Sequence, residues 1–244
     1  MKCPGQDTQF WDHSAVFEVK CPNCGKDVEF FKDDTMRRCP HCGHKFLNPK
    51  MDFGCAAYCP YAEQCLGNLP PELIAQRKEM LKDRVAIEMK KAFGRDFKRI
   101  GHAVKVTRYA EQIAREEGAD MGIVIISGYL HDIGIIEAEK KYNSSAAIYQ
   151  EELGPGIAED ILKRLGADEA LISEVCDIIG HHHHPREEET LNFKCLYDAD
   201  TIVNLEEKLK KQEISPEKLE QIIEKRFFTN TGKKLAKKAL LNKE

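Results

Sequence analysis

From about position 96 onward, apolar residues return every three or four positions. Ile100, Val104, Val106, Tyr109, Ala110, Ile113 and Ala114 trace one stripe. Leu171, Val175, Ile178 and His182 trace a second, and Leu219, Ile222, Ile223 and Phe227 a third. That spacing turns one face of a helix toward a core, and no stretch there alternates with the period of two that a half-buried strand requires. The body is therefore expected to be all-helical. Breaks at "EEGAD", "LGPG", "RLGAD", "HPREEE" and "ISPEK" divide it into roughly six or seven helices. The run at 123–126, continued by Leu130, is apolar all round and reads as a buried central helix.

The front of the chain lacks this rhythm. It is rich in Cys, Pro and Gly to about Gly67, and "LPPE" at 69–72 marks a join where two prolines stop one element and suit the first turn of the next. Three segments follow: a cysteine-rich module at 1–68, a charged helical connector at 69–95 and a helical domain at 96–244. With 244 residues, of which 42% are hydrophobic, the chain can bury one sizeable core and one small accessory module.

Charge narrows the partners. A net charge of −4 and a pI near 6.2 argue against a general nucleic-acid or membrane binder, whose basic footprint would show in the total. Residues 72–99 hold nine Lys or Arg against five Asp or Glu, and five Lys follow Asn230; solvated helix faces account for such runs. The start "MKCPGQDTQF" lacks the apolar segment of an export signal, and the 123–126 run is too short to cross a bilayer. The expected location is cytoplasmic. Ten cysteines, eight of them within the first 65 residues, then point to metal binding rather than disulfides.

Chemistry concentrates in a few polar residues on apolar faces. His102 lies on the first stripe. His131 and Asp132 end the buried run in "GYLHDIG", and Asp200 in "LYDADTIVNL" shares a face with Leu196 and Val203. A buried Asp is costly unless it binds a cation or accepts hydrogen bonds. Two imidazoles and two carboxylates form a mixed nitrogen and oxygen set suited to a first-row divalent metal with positions left for water.

The order His102, then "HD" at 131 and 132, then "DAD" at 198–200, in "RIGHAVKVTRYAEQIA", "GYLHDIGI", "ILKRLGADEALISEVCDIIGHHH" and "CLYDAD", resembles the HD-domain metal-dependent phosphohydrolases over about residues 96–230. The resemblance implies that His102, His131, Asp132 and Asp200 hold a divalent metal (Mn, Fe, Co, Ni, Mg or Zn). That metal would bind a phosphate oxygen and lower the pKa of a coordinated water. Asp132 would also orient that water, and Asp198 would either hydrogen-bond a ligand or cap locally. Lys105, Lys140 and Lys141 are candidates for neutralising phosphate. The "HHHH" run at 181–184 resembles an auxiliary position of the family. There His181 and His182 would contact phosphate or donate a proton, or hold a second metal. A single metal is the preferred reading, because no histidine follows the HD pair in "AEKKYNSSAA".

In the front module, "CPNC" at 21–24 and "CPHC" at 39–42, with 14 residues between, have the paired-knuckle spacing of a zinc ribbon. Cys21, Cys24, Cys39 and Cys42 would close a tetrahedral structural zinc site, with Gly25 and Gly43 permitting the turns and "DVEFF" forming a short strand. Cys3, Cys55, Cys59 and Cys65 would form a second cofactor site, with zinc and an iron–sulfur cluster both open. Cys176 and Cys195 read as packing residues.

The expected molecule is thus mainly α, an all-helical domain preceded by a small metal-bound zinc-ribbon module. The expected substrate is a small phosphate ester such as a nucleotide, with the ribbon as a surface for a protein partner. The rival readings are a nucleotide-binding regulator without turnover and an iron–sulfur redox sensor.

Overall fold

The computed structural model describes residues 15–32, 34, 36–50 and 80–241. The chain divides into two compact units, Met1–Arg77 and Lys78–Glu244.

In the first unit, β1 (Val16–Lys20) pairs antiparallel with β2 (Asp27–Phe31), with Val16 opposite Phe31 and Lys20 opposite Asp27. β3 (Met36–Arg38) pairs with β4 (Lys45–Leu47) in the same sense. The "DVEFF" segment is β2. The turn after β1 and the turn after β3 repeat one hydrogen-bond pattern. Gly25 N donates to Cys21 O at 2.9 Å and Cys21 N to Lys26 O at 2.8 Å; Gly43 N donates to Cys39 O at 2.9 Å and Cys39 N to His44 O at 2.8 Å. Both glycines have positive φ, 70° and 74°, a conformation that a Cβ disfavours. The core beneath is small: Cys21, Val28, Phe30 and Cys39, flanked by Phe17, Val19 and Phe46. Cys3, Cys55, Cys59 and Cys65 lie outside the described residues.

The second unit is helical: α1 (Leu81–Phe93), α2 (Phe97–Glu117), α3 (Met121–Leu130), α4 (Ile135–Tyr142), α5 (Ala147–Leu165), α6 (Glu169–Ile179), α7 (Leu191–Leu209), α8 (Pro216–Arg226) and α9 (Asn230–Leu240). Their starts follow local rules. Asp96, Asp120, Asp168, Thr190, Ser215 and Thr229 each accept a backbone N–H of the helix they open. The described part of the expected connector is not a free spacer. α1 buries Leu81, Val85, Met89 and Phe93 in the same cluster as Ile126, Leu130 and Leu162.

α3 is central, packing against α1, α2, α6 and α7. Gly128 lets it approach α2 closely: a Cβ there would sit 2.8 Å from Thr107 Oγ1. The segment Met121–Tyr142 has the length and apolarity of a candidate membrane span, at mean hydropathy 1.4, yet 56% of that window is buried within the protein. A turn at 131–134 also divides it.

Three expectations about breaks change. "LGPG" does not end a helix: α5 runs through Pro155, with Gly154 against Ile179 and the Pro155 ring against Gly180. The break at 143–146 has no Pro or Gly-rich stretch to signal it, whereas the helix end at 131–134 falls beside Gly134, which is able to loosen it. The helix from Asp168 stops at Ile179, so His182 stands in a turn and not on a continued stripe.

Candidate metal centre

Four elements bring the polar residues together. His102 comes from the second turn of α2, His131 and Asp132 from the turn that ends α3, His182 and His183 from the turn after α6, and Asp200 from the middle of α7. All four pack on α3 or belong to it. His102 Nε2 lies 3.1 Å from Asp200 Oδ1 and 3.8 Å from Asp132 Oδ2; His131 Nε2 lies 3.4 Å from Asp132 Oδ2 and 3.7 Å from Asp200 Oδ1. His182 Nε2 is 3.6 Å from Asp132 Oδ1. The four residues singled out from the sequence, His102, His131, Asp132 and Asp200, therefore share one cluster, and His182 joins them.

The opposite ring nitrogens are anchored. His131 Nδ1 meets Gly128 O and His182 Nδ1 meets Ile179 O, each at 2.9 Å. Both carbonyls belong to final helical turns, which have no intrahelical donor of their own. His102 Nδ1 meets Glu207 Oε1 at 3.1 Å. Such partners make Nδ1 the protonated nitrogen and present Nε2 as a ligand atom. Asn204 Nδ2 donates to Asp200 Oδ2 at 2.8 Å, fixing that carboxylate. Glu207 and Asn204 escaped the sequence reading, although positions 200, 204 and 207 share one helical face.

Fit to a metal is decided by orphaned atoms. The Nε2 atoms of His131, His182 and His183 are buried and have no hydrogen-bond partner. An unpaired buried nitrogen is costly, and three around two carboxylates match the donor set of a divalent ion. Two triads meet the spacing of a shared ion: His102, His131 and Asp200, and Asp132, His182 and His183, each with ligand atoms within 4.8 Å of one another. The second triad leaves room for an ion beyond the single one preferred from the sequence, and it uses His183, which sequence reasoning passed over.

His181 stands apart. Its Nδ1 meets Asp177 O at 2.5 Å, its Nε2 lies 3.1 Å from both Glu189 oxygens, and its ring stacks on Phe193 with centroids 4.6 Å apart. Both nitrogens are committed, so the expected phosphate or proton-donating role does not fit it. The cause is the turn at Gly180, which sends neighbouring histidines to opposite sides. Lys105, Lys140 and Lys141 pair with Glu206, Glu137 and Glu152 instead of facing the cluster. Of the two roles open to Asp198, the local one is seen: it accepts from Phe228 N, Thr229 N and Thr229 Oγ1 at the start of α9.

Charges in the cluster are mutually sustained. Burial disfavours ionised Asp132 and Asp200, but the adjoining histidines outweigh it and hold both carboxyls below their ordinary values. Burial likewise disfavours protonated His131, yet Asp132 and Asp200 prevail and raise it to about 9. His183 is pushed down to about 4, first by burial and then by neighbouring His182. The cluster opens on two sides. One cavity of about 160 Å³ reaches Asp200, His182, His183, Tyr197, Lys208 and Arg226. Another, of about 310 Å³, reaches His102, Asp132, Arg99, Ser145 and Glu207.

In the first unit, Cys21 Sγ lies 3.7 Å from Cys42 Sγ and Cys24 Sγ lies 3.6 Å from Cys39 Sγ. These are thiols, not disulfides. Tetrahedral ligands about 2.3 Å from zinc stand roughly 3.8 Å apart, so the spacing fits one ion held by four sulfurs.

Comparison with known proteins agrees with this geometry. Residues 99–219 match the family model of the HD domain. Among solved structures, the chain is similar to a predicted HD superfamily hydrolase from an uncultured Thermotogales bacterium: 25% identity, TM-score 0.48, covering 66% of this chain and 83% of that one. Among curated proteins, none matches. Residues 99–219 of the helical unit thus form an HD domain.

Proposed function

We propose that this protein is a phosphohydrolase that cleaves a nucleotide or another small phosphate ester. One observation carries the reading: three orphaned imidazole nitrogens converge on two ionised carboxylates at the junction of two cavities. His102, His131, Asp132 and Asp200 would hold a divalent metal, with Asp132, His182 and His183 offering a second place. Such an ion, when bound, polarises a phosphate oxygen and makes a coordinated water more acidic. Asp132 stands between the two triads and stays ionised, so its carboxylate can accept a hydrogen bond from the attacking water and orient it. His183 stays neutral near pH 7 and offers a lone pair. The buried wall of His131 and His182 excludes bulk water from the reacting side, which strengthens every charge interaction there. The four-cysteine site of the first unit would hold a structural zinc.

The test is turnover by protein stripped of metal and reloaded with Mn, Co, Ni or Mg, on a panel of nucleotides, phosphomonoesters and phosphodiesters. Metal-dependent release of phosphate or of a phosphomonoester is expected. Nucleotide binding with no turnover under any metal would replace this reading with that of a regulatory binder.

A further inference from the structure

The smaller cavity has a character the metal centre does not explain. Lys208 reaches it from the last turn of α7 and Arg226 from the last turn of α8, and both meet beside Asp200, His182 and His183. Among the described residues neither cation pairs with a carboxylate. Arg226 donates from Nη2 to the Tyr197 hydroxyl at 3.1 Å, a contact that is not an ion pair. The larger cavity differs. Lys98 and Arg99 line it, but Arg99 is neutralised by Asp96 at 3.0 Å and by Glu139 at 2.5 Å, and Asp96, Asp132 and Glu207 set three carboxylates against the two cations there.

Two like charges brought to one space repel each other. A guanidinium fork beside an ammonium is also the pairing that recognises an oxyanion such as phosphate. At about 160 Å³ the cavity is smaller than the roughly 300–1,000 Å³ of a site enclosing a whole small ligand. It accommodates one substituent, adjoining the metal centre.

We propose that Tyr197, Lys208 and Arg226 form a subsite for a second phosphate of the substrate, next to the phosphate engaged by the His and Asp cluster. The substrate class is then a compound with two neighbouring phosphates, such as a diphosphate. This rests on the phosphohydrolase reading, which places the first phosphate. A monophosphate would occupy only the metal side and leave both cations in water.

The experiment uses the full chain reloaded with Mn, titrated calorimetrically with methylphosphonate and with methylenediphosphonate, metal content being measured after each titration. Neither probe contains a hydrolysable ester or anhydride bond. The diphosphonate is expected to bind at least about tenfold more tightly, as two charge-assisted contacts allow. The Lys208→Ala, Arg226→Ala double variant should lose most of that preference while keeping its metal and its methylphosphonate affinity. Both side chains are exposed, and the single Lys208→Gln and Arg226→Gln variants, each expected to lose part of the preference, serve if the double variant misfolds. Equal weakening of both probes, or no change in preference, overturns the subsite. Ester hydrolysis without any diphosphonate preference sinks the subsite alone. A preference that depends on Lys208 and Arg226, with no ester or anhydride turned over, sinks the hydrolase reading and leaves the subsite standing.

Discussion

The two units solve the same problem, gathering metal ligands, in opposite ways. In the first, the ligands are themselves the interior: Cys21 and Cys39 are buried beside little more than Val28 and Phe30, and the strands are three to five residues long. The described part of this unit offers little apolar area of its own, so an ion at these cysteines would supply folding energy. In the second, Ile113, Ile126, Leu130, Leu162, Ile178 and Ile202 are fully buried around and beyond the site. There the core supports the ligands, and the cluster is held ready at an energetic cost visible in its orphaned nitrogens. On the proposed function, metal would be structure in one place and chemistry in the other.

The sharpest way to break this contrast is Cys24→Ser. Losing an ion that contributes on the order of 10 kcal/mol to folding should unfold residues 15–50, read as rapid proteolysis there, while helical circular dichroism stays unchanged. Melting of the helices with the cysteine module would end the distinction. Next in size, Asp132→Ala or Asp200→Ala should lower phosphohydrolysis by roughly three orders of magnitude or more, because water activation and charge neutralisation share those ligands. Metal content should fall in the same samples with the helical fold retained. Full metal with full activity would refute the shared centre.

Smaller effects sharpen the picture. Glu207→Gln, which weakens the hold on His102 Nδ1, should reduce metal affinity by about 10- to 100-fold at little cost in melting temperature. His181→Ala should do the reverse. It leaves the buried Glu189 carboxylate short of its partner, costing about 1–3 kcal/mol, with metal content at the wild-type level; loss of metal would return His181 to the site. The mildest test is pH. His131 is raised from 6.5 to about 9 in the ion-free cluster, so its stabilising contribution is complete below pH 6.5 and is lost as pH rises through 9. With chelator, helical melting should weaken across that window, and metal binding should release protons and tighten as pH rises. A melting temperature that is flat from pH 6.5 to 9 would show that His131 is not held protonated.

Much of this was legible in the chain because it is local. The 3.6-residue stripes of Val106, Ala110 and Ile113 or Leu219 and Ile223 depend only on neighbours three and four positions away, and they are buried in the structure. The knuckles depend on Gly25 and Gly43 within a few residues of their cysteines. His102, His131, Asp132 and Asp200 could be singled out because charge on an apolar face is costly wherever the fold places it. The choice among four consecutive histidines was not local. It follows from where α6 stops, and that stop is pinned from 32 and 33 positions away: Glu151 of α5 accepts from His183 N at 2.9 Å and meets His184 Nδ1 at 2.7 Å, while Pro155 packs on Gly180. Residue type settled which side chains can bind a metal. Only tertiary packing decided which of them face it, because one residue of difference in a helix end turns a side chain from the site to the Glu189 side.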